Sequence, residues 1–276
     1  MGRRAPADLL TAAAGATELR LIAADAARAA GELLRERFLA GGERATGSKS
    51  SPTDLVSEAD LAAERAIRAL IAERRPGAAI LGEEGGETQE GEGLRWIVDP
   101  LDGTVNFLFG IPQWCVSVAV HDDAGGLAGV VFDPLRDELF AGERGGRATL
   151  NGVPVSGSRS GDLASSLVAT GFAYSAEVRA VQAQVVARAL SRVRDIRRMG
   201  SAALDLAWTA AGRYDAFYER GIQTWDIAAG TILCRCSGLE ERMLAADGVA
   251  PTGLVVAPPG LIEALVKLVS QGFSSV

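Results

Sequence analysis

The chain is 276 residues long, 48% hydrophobic and 23% charged, with a net charge of −7. It has the apolar content and length for one large domain or two closely packed lobes, which excludes a disordered chain. The acidic balance argues against a broad nucleic-acid or anionic-membrane surface, while leaving room for a local phosphate pocket. Asp8, Glu18, Arg20, Asp25 and Arg28 interrupt any apolar run in residues 1–30, so neither a signal peptide nor a membrane span fits there. A soluble, cytoplasmic protein is expected.

Leucine, isoleucine and alanine at helical spacing predict a helix from Asp8 to Leu39, stopped by Gly41-Gly42. A second helix is expected over Glu58 to Arg74, ended by Pro76-Gly77, followed by a strand over Ala78–Leu81. Gly82 to Gly93 reads as a Gly/Glu-rich loop with little to bury, a candidate mobile lid. Strands follow at about 95–98, 114–120, 127–132 and 137–141; the tight turns between the later ones require antiparallel neighbours. Asn151-Gly152 is a further turn, and the small residues Ser156 to Ser160 mark a boundary between an N-terminal lobe, 1–155, and a C-terminal α/β lobe, 156–276. Beyond it strand and helix alternate: strands at Leu167–Gly171, Ile196–Met199 and Ala216–Glu219, helices at Ala176–Val193, Ala202–Ala211 and Asp226–Cys236. The basic cluster Arg192 to Arg198 reads as a solvated helix end.

Cys115, Cys234 and Cys236 form no zinc pattern and read as reduced packing residues. His121 is the only histidine, at a strand end, and no Gly-x-Ser-x-Gly elbow accompanies it, so a Ser-His-Asp hydrolase is not expected.

The chemistry concentrates in Asp99-Pro100-Leu101-Asp102-Gly103-Thr104-Val105-Asn106-Phe107, directly after the apolar run Trp96-Ile97-Val98. Pro100 keeps Asp99 out of the helical region, and Gly103 lets backbone amides approach an anion. Asp99 and Asp102 can then share a pocket with the Leu101 carbonyl, an oxygen-only donor set suited to Mg²⁺. The plain alternative is an Asp-Pro turn with a solvated acid. Glu83, after another short apolar run, and Asp226, in the first turn of an expected helix, supply two more acids at element ends. Together they suggest one composite site.

At these residues the chain resembles the inositol monophosphatase family, whose signatures Asp-Pro-(Ile/Leu)-Asp-Gly-Thr-x-Asn-Phe and Trp-Asp-x-Ala-(Ala/Gly)-Gly are both present without mismatch. The resemblance runs from about Ser48 to about Ala257 and includes Lys49 to Asp60 and Gly200-Ser201-Ala202-Ala203. It implies the layered α/β/α/β/α sugar-phosphatase sandwich with the site between two lobes. It also implies two or three Mg²⁺ ions: Glu83, Asp99 and the Leu101 carbonyl would hold one, Asp99, Asp102 and Asp226 a second, and Asp60 would help a third, weaker one. Thr104 would hydrogen-bond the attacking water with Asp60 orienting it, and helix capping with first-turn charge is the plain alternative for Asp60. The Gly103 and Thr104 amides would bind phosphate. Gly200, Ser201 and Ala202 match a substrate loop with serine in place of threonine, and Glu219 falls where the family reads inositol hydroxyls. Glu219 as a mere strand-end charge is the competing account. Lys49 would act electrostatically near the catalytic loop.

The implied activity is Mg²⁺-dependent, Li⁺-sensitive hydrolysis of inositol monophosphate, commonly in a homodimer. Related phosphatases acting on fructose-1,6-bisphosphate, histidinol phosphate, adenosine bisphosphate or NADP are alternatives, as is a regulatory binding role on the same fold. The segment Cys236 to Arg242 departs from the family's usual Glu-Ala-Gly-Gly.

Overall fold

The computed structural model describes residues 6–41, 47–48, 55–88 and 93–270, with side chains over 15–41, 57–88 and 93–270. Lys49 and residues 50–54 lie outside the described residues, as do 89–92 of the expected lid.

Helix α1 (Pro6–Leu39) is followed by the short antiparallel pair β1 (Gly47–Ser48) and β2 (Leu55–Val56), then α2 (Glu58–Arg74). Next come β3 (Ala79–Gly82), β4 (Gly86–Glu87), β5 (Arg95–Asp102), the short helix α3 (Thr104–Leu108), β6 (Cys115–Asp122), β7 (Gly125–Asp133), β8 (Glu138–Glu143), β9 (Thr149–Leu150) and β10 (Val153–Pro154). These last eight strands form one sheet in the order β10-β9-β8-β7-β6-β5-β3-β4, antiparallel except where β3 runs parallel to β5. The remaining elements are β11 (Leu167–Thr170), α4 (Ala176–Ala189), β12 (Asp195–Arg197), α5 (Ala202–Ala210), β13 (Ala216–Arg220), α6 (Thr224–Cys236), β14 (Glu240–Leu244), β15 (Gly253–Ala257) and α7 (Ile262–Val269). Their strands make a second, mixed sheet in the order β12-β11-β13-β15-β14.

Side chains of a strand alternate between faces, and that alternation assigns the layers. Trp96 and Val98 of β5 pack into a core with Ala23, Ala27 and Leu34 of α1 and Ile67 and Ile71 of α2, while Ile97 joins Leu204 and Leu206 of α5 and Ile232 and Leu233 of α6. Phe217 of β13 closes that middle core from the other side. Its neighbours Ala216 and Tyr218 point oppositely, toward Val181 and Val185 of α4 and Leu265 of α7. The result is helices, sheet, helices, sheet, helices, the expected α/β/α/β/α sandwich. Among the described residues no helix is long and apolar enough to cross a membrane.

Three expectations need correction. The Asp99–Asp102 segment does not leave the end of a strand; β5 continues through Asp102, with a bulge between Asp99 and Asp102 where Pro100 cannot donate to the ladder. The described part of the lid is tied down, because Gly86 pairs with Gly82 and the Thr88 amide donates to Ile80 at 2.9 Å. Helix α4 stops at Ala189, not Val193, so the arginine cluster lies beyond the helix instead of capping it. The strands β14 and β15 and helix α7 were not read from the sequence at all.

Candidate functional site

The parallel pairing of β3 with β5 ends at Gly82 opposite Val98, and the next amide, Glu83, donates to the Val98 carbonyl at 3.2 Å. Register alone therefore sets Glu83 beside Asp99. The turn after Glu83 is held from below by Glu64 of α2, a buried carboxylate that accepts from the amides of Glu84 at 2.8 Å and Gly85 at 2.9 Å while paired with Arg68 at 2.6 Å.

Asp99 Oδ1 accepts from the Leu101 amide at 3.0 Å, which fixes the rotamer of a side chain only 1% exposed. Gly103 follows with φ +102°, and a Cβ there would stand 2.9 Å from the Gln113 carbonyl. Only glycine fits that bend. Thr104 Oγ1 lies 3.0 Å from both Asp60 Oδ1 and the Leu101 carbonyl. Its single proton serves one of them at a time. Asp60 also caps α2, its Oδ2 accepting from the Ser57 amide at 2.9 Å, so capping and contact with Thr104 coexist on one carboxylate.

Asn106 stitches the two halves together, its Nδ2 donating to the Gln113 carbonyl at 2.7 Å and the Met199 carbonyl at 2.8 Å. That bond holds the Gly200-Ser201-Ala202 loop against the signature segment. Asp102 Oδ2 accepts from Ser201 Oγ at 2.6 Å and from the Ala203 amide at 2.7 Å, and so also receives the N-terminal field of α5. Asp226, in the first turn of α6, accepts from the Gln223 amide at 2.7 Å.

Glu83, Asp99, Leu101, Asp102 and Asp226 thus line one cleft of about 620 Å³. Gly103, Thr104, Gly200, Ser201, Ala202 and Glu219 line it too. Asp60 stands behind the wall and reaches the cleft through Thr104. Glu219 lies in β13 one residue before its end, opposite Leu254 of β15, with its side chain lining the cleft. Its carboxyl packs flat against Gly171, where a Cβ would fall 2.1–2.2 Å from the carboxyl atoms.

The electrostatics follow from burial. Desolvation pushes the Asp99 carboxyl well above the ordinary carboxylate range, and Glu83, Asp102 and Asp226 push it further. Burial raises Asp102 to about 6 against the opposing bonds from Ser201 and Ala203. It raises Asp226, with Asp102 adding to the effect, and lifts Glu219 to about 8. Among the described residues no three His, Cys, Asp or Glu side chains are gathered into a ready-formed metal cage. Asp99, Asp102 and Asp226 are each held on a backbone amide of their own around the cleft.

Four further residues escaped the sequence. Glu64 looked like one more helical charge. Arg198, assigned to a solvated helix end, lines the cleft and lies over the Phe172 ring at 5.7 Å. Asp205, one turn into α5, lines it as well while only 1% exposed. Cys115, assigned to packing, lies 3.8 Å from Asp102 Oδ2 and 3.5 Å from Ser201 Oγ. Their signal is tertiary, since each depends on a chain crossing that local periodicity does not encode.

Comparison with known proteins matches the inositol monophosphatase family over residues 16–270. An inositol-1-monophosphatase of Mycobacterium leprae (strain TN) is 42% identical over 243 residues, 84% of each chain. The Nus factor SuhB of Escherichia coli (strain K12) is 38% identical over 248 residues, 88% of this chain and 92% of that one. The crystal structure of the extragenic suppressor protein suhB from Bartonella henselae superposes with a TM-score of 0.84 at 33% identity, covering 92% of this chain and 99% of that one. Fold, cleft and these likenesses together define a phosphoric monoester hydrolase. The chain belongs to the inositol monophosphatase family, which is generally metal-dependent.

Proposed function

We propose that the chain hydrolyses myo-inositol monophosphate to inositol and phosphate with Mg²⁺. The observation that carries this reading is the convergence of Glu83, Asp99, Asp102 and Asp226 on one cleft whose far wall carries Glu219. The donors are carboxylates and the Leu101 carbonyl, a set that fits a hard cation, and the repulsion raising Asp99 is what such a cation relieves. Glu83, Asp99 and the Leu101 carbonyl would hold one ion, and Asp99, Asp102 and Asp226 a second, with Asp60 near a third, weaker site.

When bound, Mg²⁺ supplies charge that acidifies water and neutralises phosphoryl and leaving oxygens. The remaining work falls to the chain. Thr104, its hydroxyl proton held by Asp60, turns a lone pair toward the attacking water, and Glu83 accepts the water's proton. The amides of Gly103 and Thr104 receive phosphate oxygens. Ser201 steadies Asp102, the Gly200–Ala202 loop bounds the substrate, and Glu219 accepts hydrogen bonds from its hydroxyls. The reading includes two lobes, 1–155 and 156–276, meeting at the cleft. It also includes a homodimer, testable by light scattering, and a cytoplasmic setting in keeping with three free cysteines.

Phosphate release from inositol monophosphate should require Mg²⁺, stop with a chelator and fall in millimolar Li⁺. A second reading rests on Arg198, the only basic side chain lining the cleft among the described residues. It would suit a bisphosphorylated sugar whose other phosphate needs a cation. A substrate panel decides: preference for fructose-1,6-bisphosphate that disappears in Arg198→Ala would replace the inositol assignment, as would clear preference for histidinol or nucleotide phosphates. A purified protein inert on every phosphate ester would favour the regulatory role suggested by the name of the Escherichia coli relative.

A further inference from the structure

We propose that Asp205 is a second reader of the alcohol, and that with Glu219 it selects phosphate esters carrying adjacent free hydroxyls. The proposal rests on the phosphomonoesterase reading above and names the feature of the substrate that the far wall recognises.

Asp205 sits in the first turn of α5, three residues beyond the Gly200–Ala202 loop. Its side chain lines the cleft, yet it is 1% exposed and its Oδ1 has no hydrogen-bond partner. A buried acceptor left unpaired is expensive, and native structures rarely keep one without a use. A helix-dipole charge would be the plain explanation for an acid in this position. That place is already taken: Asp102 holds the Ala203 amide and the Ser201 hydroxyl at the start of α5.

The charges that act on Asp205 are Glu219 first, then Asp102, with Arg198 opposing them. Glu219 and Asp102 are acceptors like itself, the Arg198 guanidinium is drawn over the Phe172 ring, and Tyr214, which feels the Asp205 charge, makes no bond to Oδ1. The missing partner must therefore come from the cleft, and it must bring its own proton. A hydroxyl does so whichever state the carboxyl is in, because it both donates and accepts. Glu219 is fixed on the neighbouring wall, its carboxyl pressed against Gly171, and presents the same kind of acceptor from β13. Two desolvated carboxyl groups, one from a helix and one from a strand whose field reaches it, match two neighbouring hydroxyls better than a lone hydroxyl or an aromatic leaving group.

The test compares wild type, Asp205→Ala and Asp205→Asn on inositol monophosphate, a deoxyinositol monophosphate lacking one hydroxyl of the ester-distal diol, and an aryl phosphate. Removing a hydrogen bond to this buried carboxyl should lower the ratio of kcat/KM for inositol monophosphate over aryl phosphate by about 2- to 13-fold in Asp205→Ala. The change should appear mainly in KM, with part recovered in Asp205→Asn and with the preference for inositol over deoxyinositol phosphate reduced. An unchanged ratio, whether both substrates lose equally or neither does, overturns the proposal. Calorimetric titration with free inositol reads the same wall without turnover: weaker binding to Asp205→Ala supports the assignment, and equal binding overturns it. That arm remains decisive even for a wild type inactive on all three esters, a result that would sink the phosphatase reading instead. Melting temperatures of the variants separate local loss from unfolding.

Discussion

Alanine at Gly171 offers the sharpest test of how the far wall is built. Gly171 does not lie in the left-handed region, so its backbone accepts a side chain without strain. The added Cβ would stand 2.1 Å from Glu219 Oε1 and 2.2 Å from Oε2, whereas real contacts are not closer than 3.0 Å. The carboxyl must therefore retreat by about 1 Å, which is enough to break a hydrogen bond made at ordinary length. Glu219, lifted to about 8, is mostly neutral at pH 7, and a neutral hydrogen bond contributes about 0.5–1.5 kcal/mol, or about 2- to 13-fold in kcat/KM for a substrate whose hydroxyl it reads. Steady-state kinetics on inositol monophosphate and an aryl phosphate should show Gly171→Ala and Glu219→Gln sharing one defect, a lowered preference for the inositol ester. Because both act on the same bond, the double variant should be within about threefold of the worse single one. Full additivity, or equal loss on both substrates, would refute the idea that Gly171 exists to seat Glu219.

Asp99→Asn and Asp226→Asn keep the acceptors that serve Leu101 and Gln223 but remove charge from the cleft, so turnover should fall by about 10²-fold or more. The chelated variants should melt no lower than the chelated wild type; near wild-type rates at saturating Mg²⁺ would end the metal-ligand assignment. Glu64→Gln breaks a buried pair with Arg68 and should lower stability by about 3 kcal/mol while raising the Mg²⁺ concentration for half-maximal rate, since the turn carrying Glu83 loosens. An unchanged Mg²⁺ dependence would make Glu64 a stability residue only. Burial, with Arg235 and Arg144 outweighing Asp122, holds His121 below its ordinary 6.5, and as the only histidine it gives one imidazole titration by NMR. The native side chain stays neutral where the unfolded one takes a proton, so stability falls as pH drops below 6.5, and His121→Gln should remove that slope; a midpoint at or above 6.5 contradicts this.

Much of this was legible because the signatures are local. Asp99-Pro100-Leu101-Asp102-Gly103-Thr104 carries its own bend, and Trp225-Asp226 opens its own helix, so the acids could be named from spacing. The layer order came from the family resemblance, while the alternation of strand and helix after residue 167 showed only that the second lobe is α/β. What spacing could not supply was register. That Glu83 meets Asp99 depends on parallel β3 stopping at Gly82, and that Gly171 faces Glu219 depends on β11 lying beside β13. Strands β14 and β15 were hidden because their acids, arginine and short apolar run give little period-two contrast. The strand through Asp102 was missed for a different reason: Pro100 signals a break, and the bulge between Asp99 and Asp102 absorbs that break within the strand.

One device recurs in the acids of the cleft and explains how repelling groups stay in place. Asp60 Oδ2 takes the Ser57 amide, Asp99 Oδ1 the Leu101 amide, Asp102 Oδ2 the Ala203 amide and Asp226 Oδ2 the Gln223 amide. For Asp60, Asp99 and Asp226 the donor lies within three residues, so folding of the local element fixes the rotamer; for Asp102 it opens α5, so its rotamer is set when that helix docks against β5. Repulsion among neighbouring carboxylates then raises their proton affinity instead of scattering their side chains. On the proposed reading, a cation entering the cleft would meet side chains whose rotamers are already set, so their ordering would no longer oppose its binding. The same logic makes the asparagine substitutions informative, because the amide keeps the local anchor and deletes only the charge. Asp205 lacks any such anchor on Oδ1, which separates it from the four and assigns its carboxyl to what the cleft admits, not to what the cleft holds.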